Sequence, residues 1–135
     1  MVVDFRDLNT YSVPDRYPIT KVQISLTQIS QEVHICTMGS LKEFHQNVVT
    51  PAGRRYLRVI VHCGVYESLR MPFGIKNAPT HFQRMINEIF PEERLEGWLI
   101  IDIDDIIISS KTWEEHIYRL SRVLGKIQSV SMKIA

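Results

Sequence analysis

The chain has 135 residues, 44% of them hydrophobic, and its 16 Lys and Arg residues almost balance its 15 Asp and Glu residues. This length supports one hydrophobic core and is too short for two ordinary domains, so we expect a single folding unit. The near-neutral charge excludes the long-range attraction to nucleic acid that a strongly basic domain exerts, so partners have to be inferred from local sites.

The beginning of the chain predicts a strand, a loop and a helix. Residues 2–5, Val-Val-Asp-Phe, favour a short strand that runs into a turn. Two prolines within residues 12–18 restrict the backbone to extended or turn geometry, which predicts a loop. Apolar residues recur every three or four positions across residues 19–29, which is the spacing of an amphipathic helix, and Thr20 is a suitable N-cap.

Two β-branched runs predict strands in the middle of the chain, at residues 33–37 and 56–65. The stretch between them is rich in turn-forming residues around positions 50–53, where we expect a loop.

Two amphipathic helices are predicted in the second half. Asn77 is a suitable N-cap and Pro79 fits a first helical turn, which predicts a helix that ends near Pro91. Thr112 and Glu115 have the spacing of a capping box ahead of the second helix. The apolar residues expected in the core are Phe82, Met85 and Ile89 on the first helix and Ile117, Leu120, Val123 and Leu124 on the second. Strands and helices in this order predict an α+β sheet with helices on one face.

Residues 98–109 predict a β-hairpin with two apolar arms and an acidic tip. Residues two apart on a strand face the same side, so we expect Asp102 and Asp104 to project together while Asp105 turns away or lies in the bend. Clustered carboxylates repel one another unless a cation or solvent compensates them. A Mg²⁺ site and a solvated acidic turn are both compatible with these residues alone.

The cysteines and the N-terminal residues bear on location. Cys36 and Cys63 lie far apart and outside any metal-binding spacing, which favours idle thiols of a reducing compartment over a disulfide. No apolar run approaches the roughly 20 residues of a membrane span. Charged residues occupy the beginning of the chain, where a signal peptide would be apolar. We expect an intracellular protein without a targeting signal.

Several stretches of the chain together match the pattern of one known family. The matching stretches are Val2-Val3-Asp4-Phe5-Arg6-Asp7-Leu8-Asn9, Tyr17-Pro18-Ile19, Phe44-His45-Gln46, Arg70-Met71-Pro72-Phe73-Gly74-Ile75-Lys76-Asn77-Ala78-Pro79, Phe82-Gln83-Arg84-Met85, and the acidic hairpin with Ser110-Lys111-Thr112 and Glu114-Glu115-His116. In their order and with these gaps, they resemble the reverse transcriptases of gypsy-type long-terminal-repeat retrotransposons, and they cover almost the whole chain.

This resemblance implies an RNA-directed DNA polymerase domain with a palm-like antiparallel sheet, helices on one face and part of the fingers. It implies that residues 1–135 are a partial domain without thumb, connection and ribonuclease H, and that the rest of a Pol polyprotein is a partner. A template-primer of RNA or DNA and deoxynucleotides are the implied substrates. The implied location is a cytoplasmic particle or the nucleus, and no membrane association is implied.

The resemblance also assigns residues. Asp104 and Asp105 match the catalytic pair that binds two Mg²⁺ ions in the family, where the ions activate the primer hydroxyl and hold the triphosphate. Phe44 matches the aromatic that lies under the nucleotide sugar. The alternative for Phe44 is a plain core aromatic.

The sequence departs from the family's pattern near this site. The family has a third aspartate five residues before the aromatic, where this chain has Gly39. Asp102 replaces the tyrosine of the Y-x-D-D box, and Glu43 stands where glycine is common. We hypothesise that neither Asp102 nor Glu43 replaces the lost carboxylate, because Asp102 shares a hairpin with the pair it would assist. The domain is therefore expected to be inactive alone.

Two alternatives to this reading stay open. One is a non-catalytic remnant of the palm that binds nucleic acid or protein, and the other is completion of the enzyme by further segments of a polyprotein. Gln83 and Arg84 are either nucleic-acid contacts or the solvated face of a helix, with the second favoured. Four basic residues are candidate phosphate contacts or ordinary surface charges: Lys42, Arg54, Arg55 and Arg58.

Overall fold

A three-stranded antiparallel sheet lies at the centre of the computed structural model, which describes residues 3–18 and 32–135. The strands are β1 (His34–Gly39), β4 (Leu99–Asp102) and β5 (Asp105–Ser110), in the order β1-β5-β4. β4 and β5 form the predicted hairpin, and β1 pairs with the other edge of β5 although it lies much earlier in the chain. The predicted strand at residues 33–37 is therefore confirmed within this sheet.

A separate hairpin contains β2 (Arg58–Val61) and β3 (Gly64–Glu67). The β-branched run at 56–65 thus divides into two strands that are joined by a tight turn. The stretch expected to be a loop before it contains one helical turn, α2 (Pro51–Arg54), because the Thr50 side chain accepts a hydrogen bond from the backbone of Gly53 at 3.3 Å. A 3₁₀ turn follows at Arg55–Leu57.

Three helices complete the second half of the chain: α3 (Ala78–Ile89), α4 (Pro91–Leu95) and α5 (Trp113–Ser129). Alternate residues of β4 and β5 pack in one cluster with residues from α3 and α5, so both long helices cover the same face of the sheet. Each large side chain buried there contributes about 1.5–3 kcal/mol. The cluster contains Phe82, Ile86, Phe90, Trp98, Leu99, Ile101, Ile106, Ile108, Val123 and Ile127. The fold is α+β, as predicted.

The beginning of the chain differs from the sequence prediction. A short helix, α1 (Arg6–Tyr11), follows irregular backbone at residues 3–5, so the predicted strand is wrong over its described part. The Asp4 carboxylate accepts a hydrogen bond from the backbone N–H of Arg6 at 3.0 Å, and such a local turn competes with strand pairing. The predicted helix at 19–29 lies outside the described residues.

The loop at residues 12–18 is confirmed, and it is tied to the beginning of α3. The Asn77 amide donates to the carbonyl of Val13 at 2.8 Å and accepts from the backbone N–H of Asp15 at 3.1 Å. Asn77 consequently makes no side-chain cap on α3, in contrast to its predicted role.

The helix α5 begins as predicted, because the Thr112 hydroxyl accepts from the backbone N–H of Glu115 at 3.3 Å. Its buried stripe differs from the prediction. Ile117 and Leu124 are 46% and 38% exposed, whereas Val123 and Ile127 are buried in the core. The apolar stripe was predicted from spacing alone. In the structure, the face of α5 that packs against the sheet is shifted by about one residue from the predicted face.

Cys36 and Cys63 are both free thiols, Cys36 half-buried and Cys63 exposed. No helix in residues 3–18 and 32–135 combines the length and apolar character needed to cross a bilayer.

Candidate active site

Three positions lie side by side across the central sheet: Gly39, Asp105 and Asp102. Asp105 on β5 is paired with Gly39 on β1 and with Asp102 on β4. Directly paired residues of antiparallel strands project to the same face, with Cβ atoms roughly 5 Å apart. The sheet therefore brings the hairpin carboxylates next to Gly39, although this residue is distant from them in sequence.

Asp104 does not share a strand face with Asp102, so that prediction is wrong. β4 ends at Asp102, and the chain turns through Ile103 and Asp104 before β5 begins. Asp102 and Asp105 are instead the two residues that face each other across the base of the turn. The backbone N–H of Ser40 donates to the carbonyl of Asp104 at 2.6 Å and ties the turn to the end of β1.

The turn is strained at its first residue. Ile103 has a φ of 50°, in the left-handed region that β-branched residues avoid. Holding such a residue there costs on the order of 1–3 kcal/mol, and strain of this kind is concentrated at functional sites.

The position of Gly39 has room for a side chain. Its φ is not positive, and among the described residues a Cβ built there would meet only the Cβ of Ala135, at 4.0 Å. Neither the backbone nor the packing therefore requires glycine. Because Gly39 has no side chain, β1 offers no side-chain oxygen beside Asp105. Divalent cations such as Mg²⁺ are held by oxygen ligands.

The carboxylates that are present do not fit a two-ion centre. Within residues 3–18 and 32–135, no group of three or more His, Cys, Asp or Glu side chains is arranged to hold a metal ion. Asp104 and Asp105 come from one hairpin, and a pair of divalent ions about 4 Å apart repels with roughly 16 kcal/mol at an effective dielectric constant of 20, which carboxylates on both sides would have to offset. On the side of β1, the position paired with Asp105 is Gly39, which supplies no carboxylate.

Phe44 lies in a 3₁₀ turn, Glu43–Gln46, that follows β1. Its ring packs edge-on against Phe73 and Phe82, with centroid distances of 5.4 Å and 6.2 Å. Phe44 therefore contacts the core, as in its alternative reading, and contact with a nucleotide stays a prediction. Glu43 is half-buried in the same turn, outside the row formed by Gly39 and the aspartates.

The polar residues of α3 are engaged within the fold. Gln83 is buried, with 1% of its surface exposed, and its amide donates to Asn87 at 3.0 Å. The prediction that Gln83 lies on a solvated face is therefore wrong. Arg84 forms an ion pair with Asp15 at 2.7 Å and lies 5.0 Å from the ring centroid of Tyr17.

Sequence reasoning missed a cavity of about 360 Å³ that collects basic residues from three parts of the chain. We call it the basic cavity. Its described lining residues are Leu41, Lys42, His45, Gln46, Arg70, Ser131 and Lys133.

Lys42 is the only one of the four predicted phosphate contacts that lines the basic cavity. Arg54 and Arg55 instead bond to Val49 and Tyr56, and Arg58 is paired with Glu67. No local motif announces this cavity, because its residues are scattered in sequence.

Replacing Asp102 with asparagine is expected to stabilise the protein by about 0.5 kcal/mol, because like charges directly opposite each other on paired strands are destabilising. Urea unfolding at low and high salt measures this effect, which should shrink as salt screens the repulsion with Asp105. Asp7→Asn is the matched control, since Asp7 is exposed on α1 and no opposing carboxylate is paired with it across a sheet. A loss of stability in Asp102→Asn would show that the hairpin needs this charge.

The sequence of residues 3–135 matches the family model described as reverse transcriptase (RNA-dependent DNA polymerase). The chain is 35% identical over 134 residues to the retrovirus-related Pol polyprotein from transposon opus of Drosophila melanogaster, covering 99% of this chain and 13% of that protein. It is 29% identical over 135 residues to the Pol polyprotein from transposon gypsy of the same fly, covering 100% of this chain and 13% of that protein. The Tf2-3 polyprotein of Schizosaccharomyces pombe (strain 972 / ATCC 24843) is 34% identical over 134 residues, which are 99% of this chain and 10% of that protein.

Solved structures show the same fold. The foamy viral protease-reverse transcriptase in complex with RNA/DNA hybrid superimposes with a TM-score of 0.84 at 19% identity, over 96% of this chain and 17% of that chain. The foamy viral protease-reverse transcriptase dRH in complex with double-stranded DNA also gives a TM-score of 0.84 at 20% identity, over 100% of this chain and 23% of that chain. The chain thus spans about an eighth of the curated relatives it matches, and it belongs to the reverse transcriptase family, with retrotransposon Pol polyproteins among its relatives.

Proposed function

We propose that this chain is a partial fingers and palm segment of a retrotransposon RNA-directed DNA polymerase, and that its catalytic site is impaired because β1 lacks a metal-binding carboxylate. The observation that carries this proposal is the pairing of Gly39 with Asp105. In the proposed site, the strand beside Asp105 would supply a metal ligand at this position, and Gly39 has no side chain that could do so.

Each candidate residue has a separate role in this proposal. Asp104 and Asp105 are the carboxylates that remain for divalent ions, and both are exposed at the tip of the hairpin. Asp102 lies on the far side of Asp105 from Gly39, so it supplies charge on the wrong flank. Phe44 is the candidate contact for the nucleotide sugar, held in place by Phe73 and Phe82.

Two similarities support the proposed partners. The relatives are polyproteins many times longer than this chain, which favours further segments of such a polyprotein as its neighbours. The foamy viral structures hold an RNA/DNA hybrid and double-stranded DNA, which favours a template-primer as the ligand of the palm.

Primer extension on poly-rA/oligo-dT tests the proposal. The chain is placed in a complete reverse transcriptase framework from a relative, and the unchanged framework enzyme is the positive control. We expect this chimeric enzyme to bind the primed template and to extend the primer hardly at all with Mg²⁺ or Mn²⁺. Extension at the rate of the framework enzyme would overturn the proposed impairment.

A non-catalytic palm that contacts nucleic acid is the second candidate. Two observations favour it: β1, β5 and β4 are regularly paired, and the described carboxylates beside Gly39 do not form a group that could hold a metal ion. Binding of a primed template that weakens steeply with salt, without any extension, is the result expected for this candidate.

A further inference from the structure

We propose that the chain binds a small apolar carboxylate, a hydrocarbon group that carries one carboxylate, in a second cavity of about 330 Å³ beside the C-terminal half of α3. We call this space the apolar cavity. Its described lining residues are Gln46, Val48, Arg70, Met85, Ile89, Val130, Ser131 and Met132. The inference goes beyond the proposed function, because it involves no divalent ion, no nucleotide and none of the carboxylates of the hairpin.

Most of the apolar cavity is lined by hydrocarbon side chains. Met85 and Ile89 of α3 and Met132, which follows α5, are half-buried and pack against the core from the cavity lining. Val48 and Val130 line it too, although 63% and 47% of their surface is exposed. A hydrocarbon group bound there removes these side chains from water, which is favourable in proportion to the apolar area covered. Methionine side chains also adapt easily to the shape of a ligand.

A single positive charge marks one end of the apolar cavity. Arg70 is the only charged residue among the described lining residues. Arg70, Gln46 and Ser131 also line the basic cavity, so the polar end of the apolar cavity lies where the two spaces adjoin. Lys42 and Lys133 are in the described lining of the basic cavity alone. The apolar cavity therefore complements a ligand with a hydrocarbon body and one negative charge at its end.

Arg70 is held in place and retains donors for a ligand. Its side chain donates to the carbonyl of Gln46 at 2.7 Å. An arginine has five N–H donors in a fixed fork that matches the two oxygens of a carboxylate, and this hydrogen bond uses one of them. Among the described residues, Arg70 is paired with no carboxylate, unlike Arg84, which lies 2.7 Å from Asp15. A ligand carboxylate would accept from the remaining donors in a charge-assisted pair.

The walls of the apolar cavity are formed without a ligand. On one side, Val48 and Arg70 are joined by an antiparallel bridge. On the other side, Ser131 has a φ of 54°, and the backbone N–H of Met132 donates to the carbonyl of Ile127 at 3.0 Å. A left-handed residue followed by this hydrogen bond ends a helix and reverses the chain. Both walls are thus ordered before a ligand arrives, which lowers the cost of binding.

The size and charge of the apolar cavity favour a small ligand over a nucleic-acid strand. Its volume of about 330 Å³ lies in the range of small-molecule sites. A nucleic-acid strand needs basic groups along a continuous track, and the described lining contains one cation.

Calorimetric titration of the full chain with sodium octanoate, in buffer free of divalent ions, tests the inference. We expect saturable binding of one octanoate per chain. Acetate has the same carboxylate without the hydrocarbon chain, and octylammonium has the same hydrocarbon chain with the opposite charge. Neither should saturate the protein at the concentrations at which octanoate does. An octanoate titration without saturation, or equally tight binding of octylammonium, would overturn the inference.

Replacing Arg70 with glutamine should weaken octanoate binding about tenfold, because the ligand loses hydrogen bonds to a charged group. Arg54→Gln is the matched control, since Arg54 also donates to a backbone carbonyl, that of Val49 at 3.2 Å, and is not among the described lining residues. Octanoate binding should be unchanged in this control. An equal loss in both variants would mean that net charge, and not the apolar cavity, sets the affinity.

Val130→Asp is the second variant, because it places a negative charge in the apolar lining without removing the hydrogen bond of Arg70. It should also weaken octanoate binding about tenfold, through repulsion of the ligand carboxylate and loss of apolar contact. Val13→Asp is its control, since Val13 is 83% exposed and lies outside the described lining. Thermal unfolding measures whether all four variants remain folded.

Octanoate binding that is unchanged in both Arg70→Gln and Val130→Asp would place the ligand elsewhere and overturn the inference. Since these titrations contain no metal, nucleotide or primer, failure here leaves the proposed polymerase origin untouched.

Discussion

Replacing Gly39 with aspartate should raise primer extension about 100-fold or more when the chain is carried in a complete reverse transcriptase framework. Loss of a group that merely orients a metal ligand costs about 10- to 100-fold, so restoring a direct ligand should have an effect at the upper end of that range or above it. The measurement is the initial rate of extension on poly-rA/oligo-dT, with the native residue and the aspartate compared side by side.

The local geometry is compatible with this substitution. An aspartate at position 39 has an ordinary backbone conformation, and among the described residues its Cβ is in van der Waals contact with Ala135 alone. Its carboxylate would stand beside Asp105, on the flank opposite Asp102. Three carboxylates would then lie in a row, which costs about 0.2–1 kcal/mol in the absence of cations. Divalent ions should recover that stability in Gly39→Asp and leave the native protein unchanged.

Thr37→Asp is the control for this prediction. Thr37 is an exposed residue on the same strand face, paired with Ile107 and not with Asp105, so the substitution adds the same charge at the wrong position. It should leave extension low. Equal rates for the native residue and Gly39→Asp would mean that glycine is not disabling. If Asp102→Ala then abolished the native activity, Asp102 would be the residue that replaces the missing ligand.

Replacing Glu93 with glutamine should lower the free energy of unfolding by about 2 kcal/mol near neutral pH, the range expected for losing hydrogen bonds to a charged group. Glu93 on α4 is fully buried, with 0% of its surface exposed. Its carboxylate lies 2.8 Å from Arg122 and 2.7 Å from Lys126, so it joins α4 to α5. Both cations reach solvent, which keeps the cost below that of stranding a fully buried charge.

The stabilising effect of Glu93 should depend on pH. Burial raises the pKa of Glu93, but the hydrogen bond from Lys126 and the charges of Lys126 and Arg122 outweigh burial and lower the pKa below its ordinary value of 4.5. A carboxyl with a lowered pKa stabilises the fold above its ordinary value and loses that contribution as the pH falls through the lowered one. The difference between native protein and Glu93→Gln should therefore shrink below about pH 4.5.

Urea unfolding across this pH range measures both parts of the prediction. Glu92→Gln is the matched control, because Glu92 also pairs with Arg122 but is 69% exposed. Exposed pairs contribute about 0–1 kcal/mol, so this variant should change little. A difference between native protein and Glu93→Gln that stays constant down to acid pH would show that shape, and not charge, sets the contribution of Glu93.

The helices and the hairpin were predictable because their signals are local. Thr112 and the apolar spacing after it predicted α5, and the two apolar arms around the acidic tip predicted the pairing of β4 with β5. The family resemblance followed in the same way from short stretches in order. The prediction was less reliable where the sequence allowed two positions for the hairpin turn. The turn of the hairpin lies at Ile103 and Asp104, so a shift of one residue changed which aspartates face each other.

The missing side chain at Gly39 was visible in the sequence, but its position opposite Asp105 required the sheet. In the register between β1 and β5, Met38 is paired with Ile106, and both pack in the core with residues of α3 and α5. No local sequence pattern encodes this packing. The basic cavity has the same origin, since Gln46 unites segments that are far apart in sequence.

The sequence by itself therefore determined the family, the types of the main elements and the residues that match the family's catalytic positions, because short stretches of neighbouring residues carry this information. Only the tertiary structure decided which of those residues meet. Burial of Gln83 and Glu93, the row formed by Gly39, Asp105 and Asp102, and the collection of basic groups in one cavity all depend on distant segments packing together. The free energy of that packing comes from the whole core, and no single stretch of sequence contains it.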